Sequence, residues 1–93
     1  MKEHNYKVEG NIIRPGKTML TWGPFYYHSQ EKAIDKMGDI LNYIINWSKA
    51  EPENMTIAND ATQIAFNIQA LNDDNTLENC TGFIEVTEIF FED

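Results

Sequence analysis

A chain of 93 residues, 42% apolar and 24% charged, has material for one modest core and for neither a second domain nor a deep cleft, because a protein this size buries roughly 60–65% of the surface its unfolded form exposes. The formal charge of −8 argues against direct binding of nucleic acid or of anionic membrane surfaces, while the ordinary apolar content argues against disorder. Cys80 is the single cysteine, so no internal disulfide can form; with no signal peptide and no apolar run of membrane-spanning length, the expectation is one cytoplasmic domain over residues 1–93, held by its core alone.

Residues 1–5 read as a loose end. In "YKVEGNII" (6–13), Tyr6, Val8 and Ile12 alternate with Lys7, Glu9 and Asn11, which predicts a strand with Gly10 as its bulge. "RPGK" (14–17) suits a type II turn, Pro15 presetting φ and Gly16 supplying a positive φ. A second strand from Thr18 to about Trp22 is interrupted at Gly23-Pro24 and resumes as "FYYH" (25–28). Ser29 is a helix N-cap with Glu31 in the first turn. The stripe Ala33, Ile34, Met37, Leu41, Ile44 and Ile45, widened by Ile40 and Trp47, predicts an amphipathic helix of five to six turns that ends before Pro52. Gly38 inside the helix suggests a close approach to a sheet.

Met55–Ala58 reads as a short strand, with Asn59-Asp60 as a turn or bulge. "TQIAFNIQAL" (62–71) alternates cleanly, with Ile64, Phe66, Ile68 and Ala70 on one face and amides on the other, as in a sheet with one wet side. "GFIEVTEIFF" (82–91) is the last strand, apolar on both faces, which suits either a covered central strand or one that exposes Phe residues for a partner. The segment between, "NDDNTLENCT" (72–81), reads as a ten-residue hairpin loop, longer than the usual two to five. The order β-β-α-(β)-β-β predicts an α+β domain: an antiparallel sheet of four to five strands with one long amphipathic helix packed on one face.

Charge is the most informative pattern. Residues 1–50 hold all seven Lys and Arg and sum to +2; residues 51–93 hold ten acids and no Lys or Arg, and sum to −10. A surface polarised in this way attracts basic protein surfaces. The candidate partner-binding acids are Asp73, Asp74, Glu78, Glu85 and Glu88. Of the eleven aromatic residues, Tyr26 or Tyr27 and one of Phe90 and Phe91 are the candidate anchors of a buried interface centre, Tyr27 and Phe91 foremost, since the adjacent Tyr26 and Tyr27 of a strand cannot both enter one core.

Signals for catalysis are sparse. His28 and Cys80 are the base and nucleophile that the composition allows, but a lone cysteine in a small domain more often fills a core. No nucleophile motif surrounds Ser29 or Ser48, and there is no glycine-rich phosphate loop. Asp73, Asp74, Asn75 and Glu78 offer hard oxygen ligands without the glycine and ordered spacing of a calcium loop. The expectation is a non-enzymatic binding module with no cofactor and no metal.

In size, acidity and lack of catalytic motifs the chain resembles phage inhibitors of nucleic-acid-handling host proteins, anti-CRISPR proteins among them; small immunity proteins that cap nucleases share the profile. The resemblance is one of type, with no residue motif behind it. It implies an acidic nucleic-acid mimic that occludes a basic groove of a partner protein. The alternative is a homo-oligomeric structural or assembly accessory protein, a homodimer joined through an edge strand such as 82–91.

Overall fold

Alternation of apolar and polar residues turns directly into a sheet. The computed structural model describes residues 2–92, and the side chains of residues 5–89. Strand β1 (Lys2–Ile13) and β2 (Leu20–Tyr27) are followed by helix α1 (Gln30–Ser48), a 3₁₀ turn (Pro52–Asn54), and strands β3 (Met55–Asp60), β4 (Gln63–Leu71) and β5 (Leu77–Glu92). The five strands form one sheet in the order β2-β1-β5-β4-β3, antiparallel throughout. The helix packs against one face, giving the α+β class expected. Among the described residues no helix is long and apolar enough to cross a membrane.

The core is the even-numbered face of the three middle strands: Val8 and Ile12 from β1, Ile64, Phe66, Ile68 and Ala70 from β4, and Cys80, Ile84 and Val86 from β5. Each fully buried aliphatic side chain contributes about 1.5–3 kcal/mol. Onto this floor α1 lays Ala33, Met37, Ile40, Ile44 and Ser48. The stripe therefore runs through Ile40, and Ile34 and Trp47, at its flanks, stay exposed. Ser48 is a polar residue in the stripe, and its hydroxyl is satisfied: it donates to Ile45 O at 2.8 Å and accepts from Ala50 N at 3.2 Å. Ser29 caps the helix by accepting from Lys32 N, and Lys49 ends it in the left-handed region at φ 54°.

Several boundaries differ from the pattern-based reading. Lys2–Asn5 is not loose, because it pairs with Ile89–Glu92. Gly16 takes φ 68° in the β1–β2 turn, as expected, but Gly23-Pro24 does not interrupt β2. It lies in a bulge that makes β2 advance three residues while β1 advances two, from Val8↔Phe25 to Gly10↔Trp22. A proline is tolerated there because β2 is an edge strand and the bulge already interrupts its ladder with β1. The bulge is thus in β2 and not at Gly10. The acidic loop is five residues, 72–76, because Leu77–Thr81 already pairs with β4, Leu71↔Leu77 closing the hairpin. Strand β5 is central only over 81–85, where it pairs with both β1 and β4; 77–80 pairs with β4 and 86–92 with β1, so 82–91 begins as a central strand and continues with β1 as its one ladder partner.

Close approach between helix and sheet is made at Gly10, and a close approach within the sheet at Gly82. A Cβ on Gly10 would lie 3.1 Å from Ile40 Cγ2 and 3.3 Å from Ile84 Cγ1; one on Gly82 would lie 2.8 Å from Phe66 Cζ and run into the carbonyl oxygen of Asn11. Gly38, expected to serve this purpose, has open space where its Cβ would be. The two kinds of position should respond oppositely to alanine. Gly38→Ala should stabilise by up to about 1 kcal/mol through helix propensity, and Gly82→Ala should destabilise by about 1–3 kcal/mol or more through overpacking. Urea denaturation midpoints of the two variants would show the opposite signs.

Candidate functional site

Because the helix covers one face of the sheet, the other is left open, and the register decides what it carries. Glu9 lies opposite Glu85, Glu85 opposite Gln63, and Gln63 opposite Asp60. Three carboxylates thus sit in one row across β1, β5, β4 and β3. With strands about 4.8 Å apart, the row spans about 14 Å. Like charges placed directly opposite one another destabilise a sheet, so Glu9 against Glu85 is an arrangement that packing alone would not select. Lys7 offsets part of it: its Nζ lies 2.8 Å from Glu9 Oε1, and the Glu9 hydrogen bond and charge raise the Lys7 pKa above its ordinary value.

Among the described side chains Lys7 is the only cation on this face. Lys32, Lys36 and Lys49 belong to the helix and its cap, and Lys17 pairs with Glu78 beside the helix end. Two aromatic residues share the open face with the acids. Tyr26, opposite Lys7, is 58% exposed, and Phe83, between Asn11 and Ala65, is 36% exposed. Beside them lie small or amide side chains, Thr21, Asn11, Ala65, Asn67 and Ala58, and toward the β4–β5 hairpin the exposed apolar side chains of Ile13, Leu71 and Leu77.

The structure distributes the sequence-predicted residues over several places. Of the five acids, only Glu85 lies in the row. Asp73 and Asp74 lie in the β4–β5 turn, where the Thr76 hydroxyl and N–H both donate to Asp74 Oδ1 and hold its pKa below the usual carboxylate value. Glu78 points to the helix side and, far from unanswered, accepts from Lys17 Nζ at 2.8 Å; the cation comes from the first half of the chain. Glu88 occupies a β5 position opposite Tyr6, in the register of the helix-side face. Tyr27 pairs with Tyr6 and packs against the core, so the outward aromatic of the pair is Tyr26. Phe91 pairs with Glu3 in the backbone ladder, and its side chain lies outside the described residues. Glu9, Asp60 and Phe83 were missed. The period-two pattern placed Glu9 on a polar face, but only the β1–β5 register sets it against Glu85.

His28 and Cys80 lie at opposite ends of the sheet. His28 follows Tyr27, which aligns through Tyr6 with Glu88, eight residues along β5 from Cys80. At about 3.3 Å per residue this is on the order of 26 Å, far beyond proton-transfer reach. Among the described residues no three His, Cys, Asp or Glu side chains converge as a metal site. Comparison with protein families, characterised proteins and solved structures finds no match to this chain.

Cys80 is fully buried in the core. Desolvation, followed by the nearby Glu78 charge, raises its pKa, so little thiolate forms near neutrality. The native protein should therefore resist a thiol reagent such as dithionitrobenzoate at pH 8 and react stoichiometrically once unfolded in urea, as followed by absorbance.

Proposed function

We propose that this protein is a non-enzymatic binding module whose open sheet face engages a basic surface of a partner protein, in the manner of inhibitors that occlude a nucleic-acid-binding groove. The observation that carries the reading is the row Glu9, Glu85 and Asp60, laid across four strands beside exposed Tyr26 and Phe83 on the one face the helix leaves uncovered. Carboxylates spaced along a rigid sheet present acceptors and negative charge to a cationic groove and steer its approach. Aromatic side chains with accessible faces supply apolar contact area at the centre of such an interface. Nucleic acid itself is repelled by the same charge.

The test compares two charge reversals of equal size. Wild-type protein is immobilised and proteins retained from a bacterial lysate are quantified at about 50 mM and about 500 mM salt, a range over which the Debye length falls severalfold. Glu85→Lys with Asp60→Lys should abolish retention of the basic proteins that wild type holds at low salt. Asp73→Lys with Asp74→Lys, at the hairpin tip, should leave most of it. Equal loss in both variants would reduce the effect to net charge, and no loss in the first would remove the open face from the interaction.

A second reading, self-association, is favoured by one observation. The β2 edge carries a proline and a bulge, devices that discourage strand addition, whereas the β3 edge, "MTIAND", has no Lys, no proline and no break in its pairing register, and Ile57 is exposed on it. Antiparallel addition of a second β3 would continue the sheet. Sedimentation velocity over a hundredfold concentration range should then show a dimer that Ile57→Lys disperses; a monomer throughout would remove this reading.

A further inference from the structure

At the C-terminal end of α1, the β1–β2 turn, the end of β4 and the start of β5 enclose a pocket of about 300 Å³. Three of the chain's seven Lys and Arg residues line it, Arg14, Lys17 and Lys49, together with Trp47 and Glu78. Asp73 stands at the same pocket, so it carries a net positive charge within a protein of charge −8. Two of its polar atoms are buried and have no partner. Arg14 donates through Nη2 to Thr18 O at 2.9 Å, but its Nε–H has no acceptor. The Glu78 side chain is nine-tenths buried; Oε2 accepts from Lys17, and Oε1 has no donor. Buried polar groups of native proteins are nearly always paired, and a cationic donor and an anionic acceptor, both buried and unpaired in the wall of one pocket, define what would pair them.

We propose that this pocket binds inorganic phosphate. The Arg14 Nε–H and the Lys49 ammonium suit the oxygens of an oxyanion. Glu78 Oε1, an ionised acceptor among these donors, repels an oxyanion that has no proton and accepts a hydrogen bond from one that keeps a P–OH. Phosphate keeps at least one proton at neutral pH; sulfate keeps none. The lone acceptor is therefore a filter: the site takes the protonated oxyanion and rejects its fully ionised analogue of the same shape. A pocket at the small end of the ligand range suits an ion with its water better than a large organic molecule. The proposal stands apart from the open face, which lies on the other side of the sheet.

The experiment is titration calorimetry at pH 7 and constant ionic strength, with sodium phosphate and then sodium sulfate, on wild type, Glu78→Gln and Lys49→Ala. Phosphate should bind wild type at least about tenfold more tightly than sulfate, the scale of one charge-assisted hydrogen bond gained against one repulsion. Glu78→Gln, whose amide can donate, should lose that discrimination by gaining sulfate. Lys49→Ala, at an exposed position that leaves the core untouched, should weaken phosphate severalfold, and keeps the test valid should Glu78→Gln fail to fold. Equal binding of the two anions by wild type, or no phosphate binding at millimolar concentration, would overturn the proposal.

Discussion

The ladder between β1 and β5 is the constraint on which the rest of the molecule rests. It joins twelve register pairs, from Lys2↔Glu92 to Ile13↔Thr81, and it joins strands at the two ends of the described chain. Its inward row, Val8 with Val86, Gly10 with Ile84 and Ile12 with Gly82, is the floor on which the helix sits. The two glycines in that row let Ile40 and Phe66 come down close to the backbone. Its outward row sets Glu9 against Glu85. Sheet, helix seat and acidic face all depend on one long-range pairing, whose closure entropy is met only when the intervening chain is already ordered.

The charge that divides the sequence into halves is divided in the structure by face. Helix α1 and the turn near its C-terminus hold cations and acids together, with Lys17 on Glu78 and Lys36 over the Phe25 ring at 4.3 Å. The open face holds acids with one cation among the described side chains. Glu9 and Glu85 work against sheet stability, and a protein tolerates such pairs where something other than stability is served. The pocket at the helix end is the converse case: a small positive site in an acidic molecule, kept close to neutral by two of its own carboxylates.

Local rules made much of this legible. The strict period of β4 gave its buried residues directly, Ser29 marked the helix start, and Gly16 marked the first turn. What escaped is what depends on pairing. Nothing in "KEHNY" says strand until it lies beside Ile89–Glu92, and "LENCT" looks like loop because its buried members, Glu78 and Cys80, are a charge and a lone sulfur. Proline at position 24 looked like a break because edge and centre are properties of the sheet. The acidic row was invisible for the same reason: Glu9, Asp60 and Glu85 are widely spaced along the chain and become neighbours only through three ladders at once. Predicted acids close together in sequence, Asp73, Asp74 and Glu78, were separated instead by a turn, a side-chain cap and an ion pair.

The β1–β5 ladder runs on beyond its neighbours. Strand β2 ends opposite Tyr6 and β4 begins opposite Glu85, so Lys2–Asn5 and Ile89–Glu92 form a two-stranded stalk, and the molecule measures 54 × 24 × 16 Å. A polypeptide entering at Lys2 and leaving at Glu92 does so at the same tip, about 5 Å apart. Tension applied through those two points would not shear the strands past each other. It would peel them open from the tip, one rung at a time, so that the stalk would yield at low force while the sheet beneath it stayed whole.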